Sequence, residues 1–197
     1  ELRVYNALTV TGTVDVLTNV LVAGHLNLLD ATLTTDAKNM ATLKVSGKLS
    51  SDDALVVAGA YTHINSAALS GPGSLRANGG SEFQLNGHVA PIEQGFHFIN
   101  PVGQTALWLH GGRIDLNDGA IFDNRGTLDI RADVRMSGNS LVSEFRNSGM
   151  LIKSGGSNNQ DQTGSWFHWP KSINTGSIEA QAGSLTIGYP IQTTTTN

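Results

Sequence analysis

Three stretches of this 197-residue chain align without a gap: FDNRGTLDI (122–130), FRNSGMLIK (145–153) and SINTGSIEA (172–180). Each places an Asn two residues before a Gly and an aliphatic residue two residues after it. A corner that returns at a steady interval, followed each time by strand-forming residues, marks a stack of similar coils. The corner itself predicts a tight turn, because Asn and Gly tolerate left-handed backbone angles that β-branched residues resist.

A looser form, Gly-x-aliphatic, runs through the whole chain at Gly12, Gly24, Gly47, Gly73, Gly87, Gly112, Gly126, Gly149 and Gly176. Its gaps cluster at roughly 23 to 27 residues, with shorter ones of roughly 12 to 14 that read as half-turns. The 23 glycines are about twice the usual share. Between corners the chain alternates. In TLDIRADVRM, Leu128, Ile130, Val134 and Met136 fall on one face, and Asp129, Arg131, Asp133 and Arg135 on the other. That period of two is a half-buried strand. No segment keeps a 3.6-residue apolar period for three turns. A sandwich or propeller would explain short strands, but not the repeated Asn-x-Gly register. The prediction is an all-β fold, a single-stranded parallel β-helix (solenoid), right-handed by analogy with parallel crossovers. It spans 1–190, with 191–197 as a Thr-rich linker or tail.

Composition narrows the function. The formal net charge is −4 and 14% of residues are charged, without the basic stripe of a nucleic-acid binder. Five of the seven arginines lie between Arg113 and Arg146, interleaved with Asp115, Asp118, Asp123, Asp129, Asp133 and Glu144. That window reads as an ion-paired surface. There are no cysteines, which removes disulfides, thiolate metal sites and cysteine nucleophiles. No apolar run approaches the length of a membrane span, so no membrane insertion is expected. The start, ELRVYN, reads as a cut inside a longer precursor, and TTTTN as a link between extracellular domains. The expectation is a secreted, monomeric module with covalently linked catalytic or surface domains.

The run FxNxGTL…SGGxxx…INTGSIEAxxGSLTI resembles the repeats of bacterial secreted and cell-surface β-solenoids: adhesins, autotransporter passengers and modules of polysaccharide-degrading systems. The likeness covers roughly 110–188 well and the first half loosely. Among such modules it is similar to carbohydrate-binding module family 89, a β-helical family associated with xylan. That resemblance implies polysaccharide as the partner and a non-catalytic role tethering a linked carbohydrate-active enzyme. The alternative is a structural segment of a surface adhesin, and the third reading is a β-helical lyase or glycoside hydrolase.

The candidate site is GSWFHWPK (164–171). It gathers Trp166, Phe167, His168 and Trp169 in a chain with only three Trp, three Tyr and six Phe. It lies in the longest interval between the clean corners, after the polar SGGSNNQDQT, and reads as a loop from Ser154 to Ser172 leaving the coil. On one reading its rings form a platform that stacks on the apolar face of a pyranose, while Asn158, Asn159, Gln160, Asp161 and Gln162 bond the hydroxyls. On the other, the rings fold back to cover an open side of the tube.

Alternation in TALWLH assigns Leu107 and Leu109 to the interior and Trp108 and His110 to the exterior, extending the platform. In GFHFIN the same logic turns Phe96 and Phe98 inward and His97 outward.

Asp115 and Asp129 each sit three residues after a corner Gly. Equivalent corners of adjacent coils would bring them to roughly 5 Å, a retaining-glycosidase spacing, although Arg113 and Arg131 lie close enough to neutralise both. Calcium would need converging oxygens, for which Asn117, Asp118, Asp123 and Asn124 are the candidates. The six dispersed histidines offer no zinc pattern.

Overall fold

The computed structural model describes residues 2–16, 19–22, 25–35, 42–52, 54–139, 142–156, 164–168, 171–188 and 191–193. Among them every regular element is a strand and none is a helix. All pairings are parallel, and each strand pairs with its equivalent one circuit away. The protein is a parallel β-solenoid. One circuit runs Thr127–Ile130, Val134–Gly138 and Glu144–Asn147; the next runs Met150–Lys153, Ser165–His168 and Lys171–Asn174.

Each circuit thus contributes one strand to each of three faces. The first face is a nine-stranded sheet. The second and third count as one sixteen-stranded sheet because the long strand His25–Thr35 joins them. Its start pairs with Lys48–Ser51 on the second face, and Thr34 pairs with Val56 on the third. Strand pairing continues to Ile191–Thr193, which joins Lys171–Asn174.

The repeated Asn-x-Gly marks the corner between the third face and the first. Asn100 Nδ2 donates to Asn124 Oδ1, Asn124 to Asn147 and Asn147 to Asn174, each at 2.7 Å. The same Nδ2 groups reach the carbonyls of Thr127, Met150 and Ser177 at 2.9–3.1 Å. Asn100, Asn124 and Asn147 are buried, so this ladder meets the demand for partners that burial imposes.

The glycines act differently from the turn expectation. None of Gly126, Gly149 and Gly176 has a positive φ. A Cβ at Gly149 would be driven into the carbonyl oxygen of Gly126, and one at Gly176 into that of Gly149. Close approach of successive coils, rather than left-handed backbone, excludes a side chain there. The looser glycine units are also not equivalent. Gly112 lies at the corner between first and second faces and Gly126 between third and first, so the short gap between them crosses two faces.

The interior is aromatic over much of its length. Phe98, Phe122 and Phe145 occupy one inward column of the third face, with ring centres 4.9 and 6.1 Å apart. Tyr61 and Phe83 extend this chain toward the N-terminal side. Phe167 meets Phe145 at 5.8 Å and stacks on Trp108 at 6.4 Å with 24° between planes. Leu128, Ile130, Val134 and Met136 are all buried, as their alternation predicts. Phe96 and Phe98 are buried too, with His97 on the outside.

Trp108 corrects the expected register. It is fully buried, and so is Ala106. Trp108 stands in register with inward Ile130, while Leu107 aligns with outward Asp129. The expectation assumed an aliphatic interior; between Phe83 and Phe167 the interior instead has room for an indole. His110 is exposed as expected.

Among the buried polar groups are a histidine–tyrosine pair and a lysine. His63 Nε2 meets the carbonyl of Ala67 at 2.9 Å, and its Nδ1 meets the Tyr61 hydroxyl at 2.6 Å. A carbonyl only accepts, so Nε2 carries the hydrogen and Nδ1 accepts from the tyrosine. Burial lowers the His63 pKa to about 4 against the opposing pull of the Ala67 carbonyl, and burial raises that of Tyr61. Lys153 is fully buried, donating to Asp133 at 3.1 Å and to the carbonyls of Ala132 and Gly155 at 3.1 and 2.6 Å.

Candidate binding face on the second sheet

The outward positions of the second face form two columns. One holds Val89, Arg113, Arg135, Trp166 and Thr186; the other holds Pro91, Asp115, Ser137, His168 and Gly188. Successive members lie one strand spacing apart, about 4.8 Å.

Trp166 therefore sits on a strand with sheet partners on both sides, not on a loop. Alternation along Ser165–His168 turns Phe167 into the core and leaves Trp166 and His168 outside. Trp166 is 52% exposed. Phe167 is removed from any outward platform, as is Trp108. The His168 ring leans over Gly188, where a Cβ would lie 3.2 Å from it. Trp169, Asn158, Asn159, Gln160, Asp161 and Gln162 lie outside the described residues.

Trp166 and His168 border a depression of about 300 Å³ whose other walls are Arg113, Arg135, Met136 and Ser137. A second depression of about 340 Å³, reaching from Val89 to Gly164, shares Arg113 and Arg135. Arg113 is committed within the face: its Nη2 and Nε both lie 2.8 Å from the Asp115 carboxylate. Ser137 Oγ donates to the same carboxylate at 2.5 Å.

The sequence reading missed Arg113, Arg135 and Ser137 as neighbours of Trp166. The signal was available: aligning GRIDL, VRMSG and SWFH by their inward residues Ile114, Met136 and Phe167 stacks them directly.

Asp115 and Asp129 are not paired with each other; the ion-paired alternative describes them. Asp115 belongs to the second face and Asp129 to the first, and each is engaged by its own arginine, Arg113 or Arg131. The oxygens suggested for calcium are also dispersed. Asn124 points into the ladder, and Asp123 points outward to Arg125 at 2.7 Å and His97 at 3.4 Å. Among the described residues no group of three or more His, Asp or Glu is arranged to hold a metal ion.

The third face carries a smaller depression of about 240 Å³ between Asp123, Arg146 and Thr175, but its charges are internally paired. Glu144 holds Lys171 and Arg146, each at 2.5 Å. Burial pushes the Asp123 and Glu144 carboxyls up. The hydrogen bonds from His97 and Arg125 to the first, and from Lys171 and Arg146 to the second, outweigh that and hold both below the usual range.

The chain matches no family model, no curated protein and no solved structure.

Proposed function

We propose that this chain is a non-catalytic polysaccharide-binding module whose second face is the binding surface and whose anchor is Trp166. The observation that carries this reading is an indole, half exposed, fixed on a sheet strand beside a depression lined by Met136, His168, Ser137 and two arginines. A rigid ring offers a pyranose a stacking surface at little entropic cost. His168 and Arg135 supply hydrogen-bonding groups within one or two strand spacings. By the resemblance of its repeats, the module acts outside the cell, its polymer is a plant cell-wall glycan such as xylan, and it tethers a linked carbohydrate-active enzyme.

Affinity electrophoresis in gels containing a panel of polysaccharides tests this. At least one glycan should retard the native protein, and Trp166→Ala should abolish the retardation. No retardation on any glycan, or retention by the variant, overturns the reading.

A second reading, a structural segment of a surface adhesin, is favoured by the continuous side-chain ladder and core, which account for the fold without any ligand. A neighbouring hydrolase in the parent gene supports tethering; many further repeats support the adhesin.

A further inference from the structure

We infer that the groove beside Trp166 takes a carboxylate-bearing sugar, with Arg135 as the group that receives the carboxylate. This rests on the reading of Trp166 as a glycan platform and assigns the substrate class of that site.

Five arginines lie between Arg113 and Arg146, and four are ion-paired with a carboxylate two residues away: Arg113 with Asp115, Arg125 with Asp123, Arg131 with Asp129 and Arg146 with Glu144. Arg135 is the exception. It is exposed and has no ion pair among the described residues. The residues two away from it are Asp133 and Ser137, and both are bonded elsewhere. Asp133 bonds to the buried ammonium of Lys153, and Ser137 gives its hydroxyl to Asp115.

Arg135 is moreover stacked directly on Arg113 in the neighbouring strand and on Trp166 in the next. Like charges facing each other across a sheet repel, and Asp115 answers only the first. An anion held at Arg135 answers the second. A guanidinium offers a carboxylate two parallel N–H donors. A sugar whose ring lies on Trp166 would direct an exocyclic carboxylate one strand spacing away, toward Arg135.

The net charge of −4 by itself favours a neutral polymer. That is a property of the whole chain, however, and charges beyond a Debye length of about 8 Å are largely screened at physiological salt. The local arrangement is one open cation among committed acids, Asp115 and Asp133. It suits a single carboxylate beside a pyranose better than a densely charged phosphate polymer.

The test uses acidic polysaccharides and the same polymers after carboxyl reduction: a xylan bearing glucuronate side groups, polygalacturonate and alginate. The native protein should bind at least one acidic polymer about tenfold more tightly than its reduced form, and added salt should shrink that margin. Arg135→Gln should bring both forms to one affinity with the melting temperature unchanged, and Trp166→Ala should lose both. Equal binding of native and reduced polymer overturns the inference and leaves the glycan reading standing, as does a margin that survives in Arg135→Gln. Binding to no polymer of either kind overturns both.

Discussion

Trp108 and Trp166 belong to different faces of the tube and point opposite ways, one inward and one outward. Trp108 projects inward from the first face and stacks on Phe167; Trp166, the residue next to Phe167, projects outward from the second. One indole is sealed and the other is half in water, although each belongs to a short alternating strand. Alternation says that neighbouring side chains point to opposite sides. It does not say which side is inside. Only the stacking of one circuit on the next fixes that phase: Trp108 lies over Ile130, and Trp166 beside Arg135. The two rings therefore carry different obligations, one to the fold and one to whatever the surface meets.

The sharpest way to break this contrast is to charge the inner wall. Leu128→Asp, at a position with no exposure, would bury an unpaired carboxylate at a cost of several kcal/mol and should abolish cooperative thermal unfolding. Ile178 stacks on Leu151 in the same inward column but is 40% exposed. Ile178→Asp should therefore retain a cooperative transition at a lower temperature. Equal collapse of the two would show that the last circuit is as closed as the middle.

Removing the inner ring should cost about 3–5 kcal/mol in Trp108→Ala, read by denaturant or thermal melting. Trp108→Phe should cost much less, because Trp108 Nε1 is buried without a hydrogen-bond partner and its loss forfeits no bond.

Acidity attacks the inside through His63, whose folded pKa of about 4 lies below its ordinary value near 6.5. The unfolded chain binds the proton first, so stability is full above about pH 6.5 and falls as pH drops toward 4. The total is on the order of 3 kcal/mol. Asp123 and Glu144, held below their usual range, begin to lose their contribution as pH falls through the ordinary carboxylate range near 4 and continue to lose it below that. Melting curves from pH 7 to 4 should show the slope, and His63→Leu should flatten it.

Smallest in stability is the outer ring: Trp166→Ala should shift unfolding by no more than about 0.5 kcal/mol while losing about tenfold or more in glycan affinity. A large stability loss with unchanged binding would assign Trp166 to the fold after all.

The architecture was legible in the sequence because coils must repeat, and the repeat left FDNRG, FRNSG and SINTG in view. Their physical role was less legible. An Asn that bonds the Asn of the next coil and an Asn that adopts a left-handed turn look alike as letters. Left-handed turns do occur here, at Asn86–Gly87, Gln94–Gly95 and Asp118–Gly119, but at other corners. The likeness fades in the first half for a structural reason too. The ladder begins at Asn100, whose neighbouring strand ends at Ala77, and Asn100 Oδ1 has no partner. Trp166 was legible as a ring of the candidate site, but its place on a strand was not. A four-residue strand following a long polar stretch looks like the end of a loop until its register with Arg135 and Thr186 is known.

The asparagine ladder also has a mechanical consequence. Its bonds, like the backbone bonds between coils, point from one circuit to the next along the axis of the tube. Tension applied along that axis loads them end-on and in sequence, not side by side, so circuits should peel away singly at modest force. Each released circuit, 24 residues between Asn100 and Asn124, would yield about 80 Å of slack chain. A protein built this way absorbs a pull in even steps.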